Sequence, residues 1–423
     1  MRDIIRRVDR CRVCGNDDWL EVMSLGSTPL ANGFLDPAPA YPDEPVYPVD
    51  VIACRRCWLM SLRHVVDPQV LFTHYVYLTS ESDQMAQHMR RIVEWSTRKL
   101  GLTAGDLVVE LGSNIGTQLE IFAAAGLRTV GVDPARNLAR IANDRGVETV
   151  ADFFGPHVAG PIAQKHGRAK LVLGRQCFAH IDDVHHVLDG VDAVLAPDGA
   201  LAIEVPYLVD LLDQNQFDTI YHEHLSYYSL GTLGRLFESH GLRLVDVERA
   251  DVHGGSIVAF ASRPTVRPPA PSVSRLLALE EERGLSTGRP YQDLADRTRK
   301  VVDNVGGLVR DLVASGKRVA GYGAPSKGHA LLQACGLDRK EIEFVTDTTP
   351  LKQGKVWAGN LIPVFTPEQA RSRPPDYYLL LAWNYSSEVI RKEHEFLAQG
   401  GRFIVPIPQP RIVAEPEPAR RYA

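Results

Sequence analysis

The chain has 423 residues, of which 44% are hydrophobic and 23% charged, with a formal net charge of −5. That length suits two or three globular domains. The absence of a basic footprint argues against a nucleic-acid partner, and no apolar run reaches the ~20 residues of a membrane span.

The opening, MRDIIRRVDRCRVCG, is charged and has no apolar signal-peptide core. A cytoplasmic protein with reduced thiols is therefore expected, and no period of repeat-protein length is evident. Four of the six cysteines form two pairs, Cys11-x2-Cys14 and Cys54-x2-Cys57. Each pair can present two thiolates from one tight knuckle, and two knuckles make a tetrahedral sulfur cage suited to Zn2+. Redox CxxC pairs or disulfides are the alternative; a paired set in a reducing compartment fits metal better. With four protein ligands the zinc would be structural and have no open position for chemistry. It would stabilise a small domain over residues 1–72, with loops and short strands between the pairs and little core of its own.

The middle segment opens with a helix over residues 83–100. Met85, Met89, Ile92, Val93 and Leu100 share one face, and Gly101 stops it. Alternation follows. DLVVELG, RTVGVDP, VETVADFF, KLVLGRQCF and ALAIEVPY read as strands separated by helices, which implies a doubly wound α/β domain over 73–265. LRLVDVERA and SIVAFASRP close it, and His253-Gly254-Gly255-Ser256 between them reads as a hairpin turn or a substrate contact.

The first strand leads into Glu110-Leu111-Gly112-Ser113-Asn114-Ile115-Gly116. Glycines let the backbone approach a ligand, and the next helix start offers free N–H groups. The spacing is not the G-x-G-x-x-G of a dinucleotide site; it resembles motif I of S-adenosylmethionine methyltransferases. Asp133 ends the second strand, where a carboxylate can accept both ribose hydroxyls. Asp152-Phe153 ends the third, an acid and an aromatic suited to adenine. Glu110, Gly112, Asn114, Gly116, Asp133, Asp152 and Phe153 are thus the expected cofactor residues. A Rossmann-like domain for another nucleotide is the competing reading.

After the fifth strand comes YHEHLSYYSL, residues 221–230. It lacks the H-E-x-x-H spacing of a zinc protease. On a strand His222 and His224 would share one face, with Tyr221 and Glu223 on the other; in a loop they need not. A strand with hydrogen-bonded tyrosines is the plain reading. The segment nevertheless falls at the carboxyl ends of the strands, where open α/β sheets bind ligands. His180 in RQCFAHIDD lies on the same rim, so His180, Tyr221, Glu223 and His224 can converge.

Beyond PTVRPPAPS, a proline-rich linker, the stretch 273–315 reads as helical with a break near GLSTGRP. KRVAGYG, EIEFVTD, LIPVF, DYYLLLAWN and RFIVPIP then form a second Rossmann-like α/β domain, placed at 266–423. Its first turn, GYGAPSKG, puts glycines, a hydroxyl and a lysine where they can bind phosphate, or it is a structural turn without a ligand.

The order of a four-cysteine head, a methyltransferase core with ELGSNIG, a Tyr75-Val76-Tyr77 segment before it, YHEHLSYYS after it, and an α/β half with GYGAPSKG resembles the deoxysugar C-methyltransferases of antibiotic biosynthesis. These act on nucleotide-linked 4-ketosugars. The resemblance spans essentially the full length, with LTSES after the Y-x-Y segment a variant of a serine-rich stretch. It implies a class I S-adenosylmethionine methyltransferase fold, S-adenosylmethionine and structural Zn2+ as cofactors, and a dTDP-linked 4-keto-deoxysugar as partner. It leaves the oligomeric state open, a monomer included. It implies His224 as the base, with His222 and His180 as competitors for that role. Tyr221 and His180 would contact the ketone oxygen, Tyr75 would line the pocket, and Glu223 would orient a histidine. Tyr77 and Lys352 would contact the substrate, and Tyr322, Ser326 and Lys327 would hold its nucleotide diphosphate, with the sugar in a cleft between the α/β domains.

The 4-keto group explains these residue types. It acidifies the neighbouring C–H bond, and a histidine titrating near neutral pH can remove that proton. Phenol or imidazole donors can stabilise charge on the ketone oxygen. The rival functions are an O- or N-methyltransferase of the same fold, a dehydrogenase, whose fingerprint is missing from both first turns, and a non-catalytic zinc protein.

Overall fold

The structure is a computed structural model and describes residues 4–38, 40–41, 44–73, 75 and 83–415. Tyr77 and the LTSES stretch lie outside the described residues. The chain divides into two compact units: Met1–Glu21, Ile52–Asp210 and Glu223–Pro290 form one, and Val22–Val51, Leu211–His222 and Tyr291–Ala423 the other.

The first unit is built on seven strands: β1 (Leu107–Leu111), β2 (Arg128–Val132), β3 (Thr149–Val150), β4 (Ala169–Arg175), β5 (Leu195–Pro206), β6 (Arg243–Ala250) and β7 (Ser256–Ser262). Their order across the sheet is β6-β7-β5-β4-β1-β2-β3. β1 to β5 run parallel, whereas β7 is antiparallel to both β5 and β6. That inserted strand departs from the Rossmann order 3-2-1-4-5-6, and the expected methyltransferase sheet is the result. β1 is buried at every position, as a strand covered on both faces must be. The helix Asp83–Leu100 lays Met85, Met89 and Ile92 inward, and Ile92 joins Leu119, Phe122, Leu171 and Phe260 in the main core. The residues 251–255 between β6 and β7 are a turn. Gly255 has φ +113, and a Cβ there would lie 2.3 Å from Asp210 Oδ2.

The reversal of strand order falls between β1 and β4, so the loops after these strands open side by side at the ligand-binding edge of the sheet. The cysteine head joins this edge. Its strand Met60–Leu62 pairs antiparallel with Ser226–Tyr227, and Leu62 N–H donates to Leu225 O at 3.0 Å.

The second unit carries β8 (Val319–Tyr322), β9 (Val345–Thr346), β10 (Val364–Phe365), β11 (Tyr377–Leu380), β12 (Arg402–Val405) and β13 (Arg411–Val413). The order is β10-β9-β8-β11-β12-β13, parallel except for the last pair. The helical stretch before it is two helices, Pro271–Glu282 and Arg289–Ala314, separated around Gly284, whose φ is +69.

Part of the segment between the cysteine pairs belongs to this second unit. Phe34–Leu35 pairs with Val356–Trp357. Trp357 is fully buried, stacks on Phe34 at 5.8 Å, and donates its indole N–H to Ala31 O at 3.3 Å. Truncation leaves a large cavity and an unpaired carbonyl. Trp357→Ala should therefore cost ~3–5 kcal/mol, read as a lower urea midpoint followed by near-UV circular dichroism.

Candidate active site

The loop after β1 has the conformations a close-approach site needs. Gly112, Asn114 and Gly116 have φ values of 64°, 53° and 80°. A Cβ on Gly112 would lie 2.7 Å from Cys177 Cβ, on the loop after β4, and one on Gly116 would lie 2.8 Å from Val147 Cγ1. Gly116 caps the helix Thr117–Ala124. Asp133 accepts from Asn114 N–H and Ala135 N–H, both at 2.8 Å, which fixes the loop against the end of β2.

Glu110 is fully buried, and that burial pushes its carboxyl up to about 8 despite Arg175 at 3.8 Å. Among the described residues, Glu110 Oε2, Ser113 Oγ and Thr117 Oγ1 are buried without a hydrogen-bond partner. Unpaired polar atoms under a glycine loop are a cost that a polar, charged ligand offsets, so these residues fit S-adenosylmethionine. Asp152 is exposed and lies two residues beyond β3; its Oδ1 accepts from Phe153 N–H at 2.8 Å.

The strand reading of YHEHLSYYSL is corrected. Residues 221–225 are turn and irregular backbone, and only Ser226–Tyr227 pair as a strand. The two histidines consequently separate. The unit boundary runs between His222 and Glu223. His222 is 2% exposed, its Nε2 bonds Tyr47 O at 3.0 Å, and its ring meets Tyr47 edge-on. Tyr221 precedes it on the same unit and is half-buried.

His224 belongs to the first unit and stacks on His180, with centroids 5.0 Å apart and planes 15° from parallel. His180 ends a 3-10 turn, Phe178–His180, directly after β4. Its ring also stacks on Phe72 at 5.6 Å. Leu225 N–H donates to Ala179 O at 2.9 Å and ties the two histidine loops together. Burial, and then the neighbouring His224, hold His180 well below the usual imidazole range, so it is neutral at neutral pH.

Tyr75 reaches the same cluster. Its hydroxyl donates to Glu223 Oε2 at 2.6 Å, and its backbone is pinned by Asn137 through bonds of 3.2 and 2.8 Å. Its ring packs beside Ile115 of the glycine loop, with Ala135 and Leu138. Sequence reading missed Phe72 and Asn137. Phe72 sits three residues before Tyr75, in a helix that no motif marks.

The four cysteines lie with all sulfurs within 4.8 Å of one another. Cys11 and Cys57 sulfurs are 3.5 Å apart, and Cys14 and Cys54 sulfurs 3.6 Å. A disulfide needs about 2.0 Å, whereas sulfurs each 2.3 Å from one zinc lie about 3.8 Å apart at tetrahedral angles. Backbone N–H of Arg56 and the Asn16 amide both donate to Cys54 Sγ, as partners of a thiolate do. The residues fit zinc.

In the second unit the expected phosphate residues surround the loops after β8 and β11. Ser326 hydroxyl donates to Asn32 Oδ1 at 2.8 Å and Tyr322 hydroxyl to Glu393 at 2.8 Å. Lys327 bonds Asn384 and lies over the Trp383 ring at 4.8 Å. Burial lowers its pKa to about 8, against the pull of Asp218. Lys352 is buried and donates to Ala324 O at 3.0 Å.

Residues 11–72 match the model of a zinc binding domain, 82–247 that of a methyltransferase domain, and 251–408 that of a C-methyltransferase C-terminal domain. Over 415 residues the chain is 59% identical to C-methyltransferase NovU of Streptomyces niveus, covering 98% of this chain and 99% of that protein. The chain belongs to this C-methyltransferase family. It is an S-adenosylmethionine-dependent C-methyltransferase, with S-adenosylmethionine and zinc as its cofactors. Solved structures overlap it in part. Magnesium protoporphyrin IX methyltransferase from Synechocystis PCC 6803 with bound SAM is 13% identical, over 42% of this chain and 78% of that one, with a TM-score of 0.33. The 1,6-didemethyltoxoflavin-N1-methyltransferase of Burkholderia thailandensis is 22% identical, over 43% and 79%, with a TM-score of 0.31.

Two outcomes are expected of this C-methyltransferase. Cys57→Ser should lower zinc below one ion per chain by elemental mass spectrometry and lower the melting temperature; stoichiometric zinc would mean the cage is not the binding site. Acid should also destabilise the chain through His180. Its folded pKa is depressed, so below the unfolded value of about 6.5 the unfolded chain binds a proton that the folded chain refuses. Stability is full above that pH and declines as pH falls through the window. His222, and His329 at about 4, are depressed by burial in the same direction. His180→Gln should therefore flatten the fall in urea midpoint between pH 7.5 and 5.5 without abolishing it.

Proposed function

We propose that this C-methyltransferase methylates the carbon beside the ketone, C-3, of a dTDP-linked 4-keto-deoxysugar in antibiotic deoxysugar biosynthesis. The observation that carries the reading is the His180–His224 stack, in which His180 stands on the loop after β4, next to the glycine loop. Methylation at carbon needs a base beside the methyl donor, and a neutral imidazole is a base at working pH.

When bound, S-adenosylmethionine supplies an electrophilic sulfonium methyl. In this reading Glu110, Gly112, Asn114, Gly116, Asp133, Asp152 and Phe153 hold it. His224 takes the proton from the carbon beside the ketone. The electron pair of that C–H bond becomes the enolate, which forms the new carbon–carbon bond as the sulfur–methyl bond breaks. The proton stays on His224 until solvent removes it. His180, held neutral, and Tyr221 are the donors for charge developing on the ketone oxygen. Tyr75 and Glu223 form a hydrogen-bonded pair that orients the 223–224 turn beside the glycine loop. His222 has the weaker claim to be base, because its burial and its bond to Tyr47 O leave little access to a substrate.

The loops after β8 and β11 suit the nucleotide diphosphate, with Tyr322, Ser326, Lys327 and Lys352 as its contacts; Tyr77 remains assigned to the sugar. Residues 1–72, 73–265 and 266–423 then serve as zinc, methyl-transfer and nucleotide segments, in a reducing cytoplasm that keeps the thiols free. No described helix is long and apolar enough to cross a membrane.

The test is incubation with S-adenosylmethionine and a panel of dTDP-4-keto-deoxysugars, with products located by mass spectrometry and NMR. A product one methyl heavier, ketone intact and methyl on C-3, is expected. His224→Asn should stop exchange of the substrate's α-hydrogen in deuterated water and lower kcat by ~10²–10⁴. Undiminished exchange would remove His224 as the base. Methyl on oxygen or nitrogen would sink the carbon-acid reading and leave the histidines as binding groups.

A further inference from the structure

Arg12 lies inside the first zinc knuckle, Cys11-Arg12-Val13-Cys14, yet it points away from solvent and is 7% exposed. Its Nε donates to Asp182 Oδ1 at 3.0 Å, two residues beyond His180. One terminal nitrogen, Nη1, donates to Leu62 O and to Leu225 O, both at 3.4 Å. Leu225 follows His224 directly. One guanidinium thus touches the His180 loop, the His224 loop and the head strand Met60–Leu62.

The second knuckle grips the same region. Thr232 hydroxyl donates to Cys57 O at 3.3 Å, and Arg235 Nη1 donates to Arg56 O at 3.1 Å, both from the helix Leu230–Glu238 that follows YHEHLSYYS. The ladder of Met60–Leu62 with Ser226–Tyr227 completes the attachment. The knuckles therefore hold the segment carrying His224 from both ends of the cage.

We propose that Arg12 is a positioning residue: it transmits the rigid geometry of the zinc knuckle to the spacing of His180 and His224. The proposal rests on the reading of those histidines as the proton-handling pair. Global stability alone does not account for Arg12. A buried arginine with Nη2 unpaired among the described residues is a poor source of stability. Replacing such a group by an apolar side chain of similar volume is often neutral. Asp182 would not be orphaned, because Arg6 also bonds its other oxygen. The planar fork of arginine is what lets one side chain reach a carboxylate and two carbonyls together, and lysine cannot reproduce it.

The experiment uses the full-length, zinc-loaded protein with 15N-labelled histidine. Imidazole resonances, zinc content, kcat and KM are compared for wild type, Arg12→Met, Arg12→Lys and Asp182→Asn. We expect stoichiometric zinc in all four, displaced His180 and His224 resonances in the three variants, kcat lower by about 10- to 100-fold, and KM changed less than about threefold, since a misplacement near 1 Å costs up to ~10². Unmoved histidine resonances with zinc retained would overturn the proposal. Moved resonances with unchanged kcat would support the strap and instead overturn the catalytic reading of the histidines. Should Arg12→Met fail to fold, Asp182→Asn, at a half-exposed site still flanked by Arg6, decides by the same resonances.

Discussion

Four sulfurs within 4.8 Å of one another cannot all be thiolates unless a cation sits among them. Hydrogen bonding to Cys54, and burial, push the Cys11 thiol up to about 12, which is the resistance of the metal-free cage to a full set of negative charges. Zinc removes that resistance, and its binding energy becomes folding energy. The segments attached to the knuckles inherit the rigidity: Arg12, the strand Met60–Leu62 and the carbonyls of Arg56 and Cys57 all bear on the chain around Leu225 and Thr232. A metal with no open coordination position can influence chemistry only in this way, by fixing where other groups stand.

Those groups include two ring stacks that share His180. Phe72, His180 and His224 lie nearly parallel in sequence, with tilts of 2° and 15° between successive rings. Two imidazoles face to face at 5.0 Å tolerate one positive charge poorly and two hardly at all. Burial of His180 resolves the conflict by keeping it uncharged. In the proposed reaction, a charge arriving on His224 then meets a neutral, polarisable ring rather than a second cation. Tyr75 and Glu223 join this stack to the glycine loop through Asn137 and Ile115, so the glycine loop and the histidine turn share one framework.

The second unit solves a different problem with the same α/β elements. Lys327 and Lys352 are not free surface charges. Lys327 lies over Trp383 beside Asn384, and Lys352 is drawn to the carbonyl of Ala324. Desolvated cations held by neutral partners keep their charge available for an anion, at some cost to their own protonation. Asp218, fully buried and bonded to the Trp383 indole, tempers that cost for Lys327.

What could be read from the sequence was local. Cys-x2-Cys pairs, glycines at a strand-to-helix turn, acids at strand ends and the helix over Asp83–Leu100 are each decided within a few residues, by backbone conformations and periodicities that neighbouring side chains impose. The α/β class followed from them, and the cofactor class from the resemblance of the glycine turn to motif I. Decisions between distant residues were not legible. Nothing in YHEHLSYYSL states that His222 turns to Tyr47 while His224 turns to His180, because periodicity describes a strand and that stretch is a turn. Tyr75 meets Glu223 across 148 positions, and Arg12 meets Asp182 across 170. The placement of β7 between β5 and β6, and of Phe34 against Trp357, are likewise choices of packing. Residue types and spacings pointed to the metal and the cofactor class, and the family resemblance they carry pointed to the kind of chemistry; only tertiary structure decided which histidine faces which partner, because burial and stacking are properties of surfaces that meet after the chain has folded.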